Sequence, residues 1–239
     1  MSFTAADLKV KIFADGADLE GIRLAAKDPL ICGFTTNPTL MRKAAIDDYA
    51  QFARDVLGIV PDLPISFEVF SDDFEEMKEQ ARTLSALGSN VYVKIPITNT
   101  DGASAAKLVT QLSALGIKVN VTAVMTVEQV ETIAPALAAS PGAFVSVFAG
   151  RIADAGTDPL PIVREAVDIL RRLPLVECIW ASPREVLNAV QADLVGCQVI
   201  TMTNDLIAKL GLLGKDLTTY SLETVEMFRR DAVAAGYTL

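Results

Sequence analysis

The sequence predicts an α/β fold built from eight strand and helix units, and three observations predict it. Short apolar, β-branched runs alternate with longer segments of helical period, which is the sign of βαβ units and a parallel sheet. The length of 239 residues suits a single (β/α)8 barrel, which runs to roughly 250 residues, and leaves little room for a second domain. Apolar residues make up 51% of the chain and aromatic residues only 6%, so the core must be filled by many Ala, Val, Leu and Ile side chains, as in a layered α/β protein.

In chain order, the first four strands are expected at Val10 to Asp15, Ile31 to Thr35, Ile65 to Phe70 and Val91 to Ile97. Pro96 cannot donate to a ladder hydrogen bond, so the fourth strand should end there. The other four are expected at Lys118 to Thr122, Ala143 to Phe148, Glu177 to Ala181 and Gln198 to Thr201. Between the third and fourth strands, Phe74, Met77, Ala81, Leu84 and Leu87 recur at helical steps. Ala105, Leu108, Val109, Leu112 and Leu115 do the same after the fourth, as helices with one buried face require. Gly88 and Gly116 stand where C-terminal caps would. The stretch from Asp216 to Leu239 holds one more helix, about Leu222 to Ala235, that no strand follows; it must cover the exterior or a neighbouring subunit. Closing eight parallel strands gives a barrel and leaving them open gives a doubly wound sheet, and periodicity does not choose between them. The segment after the first strand, Gly16-Ala17-Asp18-Leu19-Glu20-Gly21, is no Gly-rich phosphate loop, which argues against a dinucleotide fold.

Composition removes several function classes. A net charge of -9 repels phosphate backbones and anionic membranes, and no Lys/Arg stripe with interleaved aromatics offsets it, so nucleic acid and membrane are not expected partners. Cys32, Cys178 and Cys197 are odd in number and set in apolar runs, which reads as buried thiols in a reducing cytoplasm rather than disulfides or a metal cluster. Met1 to Leu8 shows no cationic segment leading into a long apolar stretch, and no window approaches ~18 uninterrupted apolar residues, so neither export nor a membrane span is expected. The chain has no histidine. His-based triads, His metal ligands and imidazole acid/base catalysis are therefore excluded, and chemistry must come from Lys, carboxylates, hydroxyls or thiols.

In parallel α/β folds the reacting groups sit at the carboxyl ends of strands. The polar residues there are Asp15, Thr35-Thr36-Asn37, Glu68, Lys94, Asn120 with Thr122, Ser146, Arg151, and Ser182 with Arg184, so every strand but the last supplies one. Lys94 is the sharpest, a lone ammonium in Val91-Tyr92-Val93-Lys94-Ile95-Pro96-Ile97. It either snorkels to the rim, pairs with a structural carboxylate, or is a desolvated amine able to attack a carbonyl. Asp15 and Glu68 are either caps and rim charges or, without histidine, the acid/base pair that Schiff-base chemistry needs. Asn37 and Asn120 either form turns or hold substrate hydroxyls. Arg151, after Phe148-Ala149-Gly150, and Ser182-Pro183-Arg184, at the start of a helix, are surface residues or together the positive focus for an anionic ligand on an acidic protein.

These residues resemble the transaldolase family, specifically its short microbial branch that includes the fructose-6-phosphate aldolases. The resemblance rests on Ala14-Asp15, Gly33-Phe34-Thr35-Thr36-Asn37-Pro38-Thr39, Phe67-Glu68-Val69, Val93-Lys94-Ile95-Pro96, Asn120-Val121-Thr122, Ser146-Val147-Phe148-Ala149-Gly150-Arg151-Ile152 and Ala181-Ser182-Pro183-Arg184, and it runs from about Val10 to the C-terminal helix. The sequence departs at Pro183, where the family usually carries an aromatic residue.

The resemblance implies a single (β/α)8 TIM barrel with an extra C-terminal helix and a Schiff-base lysine at Lys94. Asp15, Glu68 and Thr122 would hold the catalytic water and shuttle protons. Asn37, Asn120 and Ser146 would bind a dihydroxyacetone portion, Arg151, Ser182 and Arg184 a distal phosphate, with Thr35 and Phe148 completing the substrate site. It also implies sugar-phosphate substrates, no metal or organic cofactor, and a homo-oligomer, a pentamer or a decamer made of two rings of five, with the terminal helix exchanged between neighbours. Transaldolases carry Phe and Glu where Phe148 and Glu68 stand, and the aldolases carry Tyr and Gln, so group transfer is expected over release of free dihydroxyacetone. An aldolase that releases dihydroxyacetone, an enzyme for another anionic sugar, and a silent sugar-phosphate-binding barrel are the alternatives.

Overall fold

The side-chain alternation of the strands separates two sets of residues that pack on opposite faces of one sheet. The computed structural model describes residues 4–238; Met1, Ser2, Phe3 and Leu239, part of the expected 1–239 domain, lie outside them. The strands are β1 (Lys11–Asp15), β2 (Ile31–Thr35), β3 (Ile65–Glu68), β4 (Val91–Pro96), β5 (Val119–Val124), β6 (Ala143–Val147), β7 (Val176–Trp180) and β8 (Val199–Thr203). All neighbours pair in parallel and β8 pairs back to β1, so the sheet is a closed barrel. This resolves the choice that periodicity left open.

One set of alternate residues faces the surrounding helices. Ile12, Phe67, Val93, Val121, Val145, Trp180 and Ile200 belong to this outer core, together with Phe52, Met77, Leu112 and Val163 from the helices. The helices around the barrel are α1 (Leu19–Ala25), α2 (Pro38–Lys43), α3 (Tyr49–Ile59), α4 (Phe74–Ser85), α5 (Ala106–Ala114), α6 (Val127–Ile133), α7 (Ala149–Asp154), α8 (Pro159–Leu170), α9 (Leu187–Leu194) and α10 (Asn204–Ala208). Met77, Ala81 and Leu84 of α4 and Leu108, Val109 and Leu112 of α5 are buried, on the stripes that their spacing predicts.

The other set points into the barrel. Its lower layer is an apolar plug of Phe13, Phe144, Ile179 and Val199, with Tyr92 packed on it. The Phe13 and Phe144 rings meet edge to face at 5.5 Å. Gly33 makes room for the plug, because a Cβ there would lie 2.5 Å from the Phe13 ring. Two residues further along the same strands the period of two returns to the interior. It brings Asp15 above Phe13, Lys94 above Tyr92, Ser146 above Phe144 and Thr201 above Val199. The polar groups thus stand on an apolar floor.

Strand ends differ from expectation by one to two residues. β3 stops at Glu68 instead of Phe70, and its main chain is capped there by a side chain described below. β5 runs past Thr122 to Val124 through a register shift, with Ala123 in the left-handed region at φ 62. β8 continues to Thr203. Gly116 takes positive φ after α5, as its expected capping role requires, whereas Gly88 does not; α4 ends with Ala86 as its cap.

The last helix, α11 (Leu217–Ala235), begins five residues earlier than expected. Asp216 caps it by accepting from the Thr219 amide, a bond that fixes the first turn before the apolar pattern starts. No residue described in this helix is buried. Val225 and Phe228 are 59% and 63% exposed, so the helix presents apolar side chains that the rest of the chain does not bury. Among the described residues no helix is long and apolar enough to cross a membrane.

Candidate active site

At the carboxyl ends of the strands a cleft of about 310 Å³ opens above the polar layer. Lys94 lies on its floor and is 5% exposed. Its Nζ donates to the Thr36 carbonyl at 2.9 Å and sits 3.1 Å from Glu68 Oε2. Snorkelling is therefore not what the side chain does. The pairing arises from register, since Glu68 on β3 stands opposite Lys94 on β4. A buried ammonium is tolerated only when paired and hydrogen-bonded, and both conditions are met here, the pairing by Glu68, which also lines the cleft, and the hydrogen bond by the buried Thr36 carbonyl.

Glu68 is held from behind. The Tyr49 hydroxyl, at the start of α3, accepts from the Glu68 amide and donates to the Glu68 carbonyl, both at 2.8 Å. It replaces the next ladder partner and ends the strand. Burial pushes the Tyr49 phenol well up, so it stays a neutral hydroxyl able to do both. Nothing in the spacing of Tyr49 marks it as part of a site.

Asp15 ends β1 and accepts from the Thr35 hydroxyl at 2.8 Å. Desolvation raises its carboxyl above the ordinary value, with the Lys94 ammonium and the Thr35 bond pulling the other way. Thr35 is also 2.5 Å from the Thr201 hydroxyl of β8. The eighth strand thus does contribute to the cleft, contrary to the expectation that it alone would not. Thr201 is the expected last residue of that strand, so its position was legible and its direction was not.

Thr122 faces the cleft from the bulged end of β5, and among the described residues its buried hydroxyl has no hydrogen-bond partner. It is free to hold a ligand or a water. Asn37 and Ser146 line the cleft as well. Asn37 caps α2 by accepting from the Leu40 amide at 3.0 Å, which combines the turn role with a place at the site and leaves its amide N–H groups for a ligand. Asn120 does not line the cleft. It is fully buried, donating to Ser66 Oγ at 3.0 Å and accepting from Ser146 Oγ at 2.7 Å, so it supports Ser146 from beneath.

Phe148, Arg151 and Ser182 form the outer wall. The Arg151 guanidinium lies 5.7 Å from the Phe148 ring centroid, which orients it over the mouth. Ser182 has positive φ, 56, and its carbonyl crosses Gly150 so closely that a Cβ there would be 1.6 Å from the oxygen. Arg184 does not line the cleft. Its Nε and Nη2 pair with the Asp154 carboxylate, and half of its side chain is exposed. The segment is also not a helix N-terminus as expected. Asn188 accepts from the Arg184 and Glu185 amides at 2.7 and 3.1 Å, holding a turn, and α9 starts only at Leu187.

The arrangement can activate an amine beside one carboxylate, offer a second carboxylate whose proton affinity is raised, and place an arginine at the outer end. The chain matches the family described as Transaldolase/Fructose-6-phosphate aldolase over residues 12–238. Three similar proteins each carry the description "Probable transaldolase". One from Thermoanaerobacter sp. (strain X514) is 37% identical over 229 residues, covering 95% of this chain and 99% of its own length. One from Caldicellulosiruptor saccharolyticus is 38% identical over 196 residues, covering 81% and 85%. One from Nitrosopumilus maritimus is 36% identical over 220 residues, covering 90% and 92%. The chain belongs to the transaldolase/fructose-6-phosphate aldolase family.

Proposed function

We propose that this member of the family is a transaldolase that moves a dihydroxyacetone unit from a ketose phosphate to an aldose phosphate through a Schiff base on Lys94. The observation that carries the reading is the buried Lys94 amine on the cleft floor, 3.1 Å from a carboxylate that can take its proton. The free amine adds to the C2 carbonyl of the donor. Glu68 returns a proton to the carbinolamine oxygen, which leaves as water, and the iminium forms. Asp15 takes the proton of the C4 hydroxyl, the C3–C4 pair flows to the iminium nitrogen, and an aldose phosphate departs. The three-carbon enamine attacks an acceptor aldehyde in the reverse sense, and water held by Thr122 then frees the amine. The iminium is the electron sink, so neither a metal nor an organic cofactor has a role.

Asn37 and Ser146 hold the dihydroxyacetone hydroxyls, with Thr35 keeping Asp15 in place and Asn120 setting the Ser146 rotamer from below. Arg151 and Ser182 receive the distal phosphate, and Arg184 joins them by leaving Asp154. Phe148 offers no hydroxyl with which to protonate the enamine, which favours transfer over release. The protein works in the cytoplasm as a homo-oligomer, pentamer or decamer, through the apolar face of α11. Nucleic acid and membrane are no partners of a surface this acidic.

The test is to supply fructose 6-phosphate alone and then with erythrose 4-phosphate, following glyceraldehyde 3-phosphate, sedoheptulose 7-phosphate and dihydroxyacetone. Turnover only with the acceptor is expected. Rapid multiple turnover to free dihydroxyacetone without it would replace transfer by aldol cleavage.

A further inference from the structure

We infer that Thr201 is a positioning residue for Asp15, acting through Thr35 as the end of a hydroxyl chain that lets the carboxyl be satisfied both with and without its proton. The inference rests on the proposed role of Asp15 as the base at the C4 hydroxyl.

The chain is Thr201 Oγ1, Thr35 Oγ1 and Asp15 Oδ1, with separations of 2.5 and 2.8 Å. Each hydroxyl owns one hydrogen. While Asp15 is ionised it can only accept, so Thr35 spends its hydrogen on Asp15 and the hydrogen between the two threonines must be that of Thr201. Once Asp15 has taken a proton it becomes a donor to Thr35. Thr35 then turns its hydrogen towards Thr201, whose oxygen accepts, and the Thr201 hydrogen turns into the cleft. No covalent bond changes in the threonines; only the direction of two hydrogen bonds reverses.

Thr201 is the group that makes both directions available. Thr35 is 3% exposed and its hydroxyl lies between Asp15 and Thr201, so once Asp15 is protonated only Thr201 among the described residues can accept the Thr35 hydrogen. Thr201 itself lines the cleft, where a water or ligand can take its hydrogen. Among the described residues the Thr201 hydroxyl has no hydrogen-bond partner other than Thr35. A valine would keep the branched shape and remove only the hydroxyl's hydrogen-bonding capacity, which is what the chain uses. Desolvation raises the proton affinity of Asp15, which acts in the same direction as the geometry by easing protonation of the carboxyl.

The experiment compares the full-length wild type with Thr201→Val and Thr201→Ser, using fructose 6-phosphate and erythrose 4-phosphate. Thr201→Val is expected to lower kcat by roughly ten- to a hundredfold, part of the 10²–10⁴ that an acid/base group supplies, with KM moved by no more than about twofold. Thr201→Ser should stay within about threefold of wild type, because it keeps the hydroxyl. Borohydride quenching gives a second readout that packing alone would not move. If C3–C4 cleavage is slowed, the trapped lysine adduct shifts from the three-carbon species towards the intact six-carbon phosphate. Unchanged kcat in Thr201→Val, a loss confined to KM, or an equal loss in Thr201→Ser overturns the inference. Should Thr201→Val not fold, Thr201→Cys carries the same expectations and the same refutations. A wild type that forms no borohydride adduct defeats the Schiff-base reading, whereas a wild-type adduct with an unaffected Thr201→Val defeats only the role of Thr201.

Discussion

Replacing Glu68 by Leu should destabilise the protein, and replacing Lys94 by Met in the same chain should restore it. The single change removes the carboxylate 3.1 Å from the Lys94 Nζ, where the two side chains are 7% and 16% exposed. The ammonium left behind keeps one acceptor, the Thr36 carbonyl at 2.9 Å. Breaking a buried pair by deleting one partner costs about 3 to 5 kcal/mol, and the retained carbonyl places this case near the lower end, at about 3 kcal/mol. For a chain of this length each kcal/mol corresponds to about 2 to 4 °C, so Tm should fall by roughly 6 to 12 °C. Removing both charges at once leaves an apolar pair of similar volume on the Tyr92 layer, and such replacements are often neutral or stabilising. Urea unfolding of the wild type, both single variants and the double variant closes the cycle. A Glu68→Leu variant within about 1 kcal/mol of wild type, or a double variant no more stable than the Glu68→Leu single, would refute the view of a mutually dependent buried pair.

Asp15→Asn should abolish turnover yet raise stability at neutral pH. The folded carboxyl titrates above the ordinary value of 3.8, so the folded state binds more protons than the unfolded state above that pH, and wild-type stability falls as pH rises through the interval. Below 3.8 both states are protonated and the two proteins should converge; a gap that does not change with pH would contradict the assignment. Arg151→Ala and Arg184→Ala should each weaken phosphorylated sugars about ten- to a hundredfold more than their unphosphorylated analogues, the loss of one charge-assisted contact. Equal losses on both substrate types would remove the phosphate role. Light scattering should show a multiple of the chain mass that falls when residues from Leu217 onward are deleted. A monomer insensitive to that deletion would take α11 out of assembly.

The parts of the site that were legible in the sequence are those fixed by the period of two. Once Lys94 is placed in a strand, Tyr92 must lie under it and Glu68 can reach it only if the third and fourth strands are neighbours in parallel. The sequence order suggests that neighbourhood, and closure of β8 on β1 completes it. Direction was harder to read. Asn120 and Ser146 share the interior with Lys94, yet the Asn120 amide is consumed by Ser66 and Ser146, partners 54 and 26 residues away. Arg184 is drawn off the cleft by Asp154, 30 residues distant, through a pairing that no local pattern announces. Tyr49 lies on a helix, where an aromatic residue reads as core, and only the fold shows its hydroxyl closing the main chain of Glu68. Thr201 stood at a strand end like the other polar residues, but a lone hydroxyl there is as consistent with a cap as with a chain to a carboxylate.

The proposed Schiff base on Lys94 can be trapped covalently. The protein is incubated with fructose 6-phosphate, reduced with borohydride, digested and mapped by mass spectrometry, with Lys94→Ala alongside. A three-carbon adduct is expected on the peptide that carries Lys94, with neither adduct nor turnover in the variant. An adduct on Lys11, which pairs with Glu177, or on Lys118, which donates to the Ser89 carbonyl, or undiminished turnover by Lys94→Ala, would contradict it.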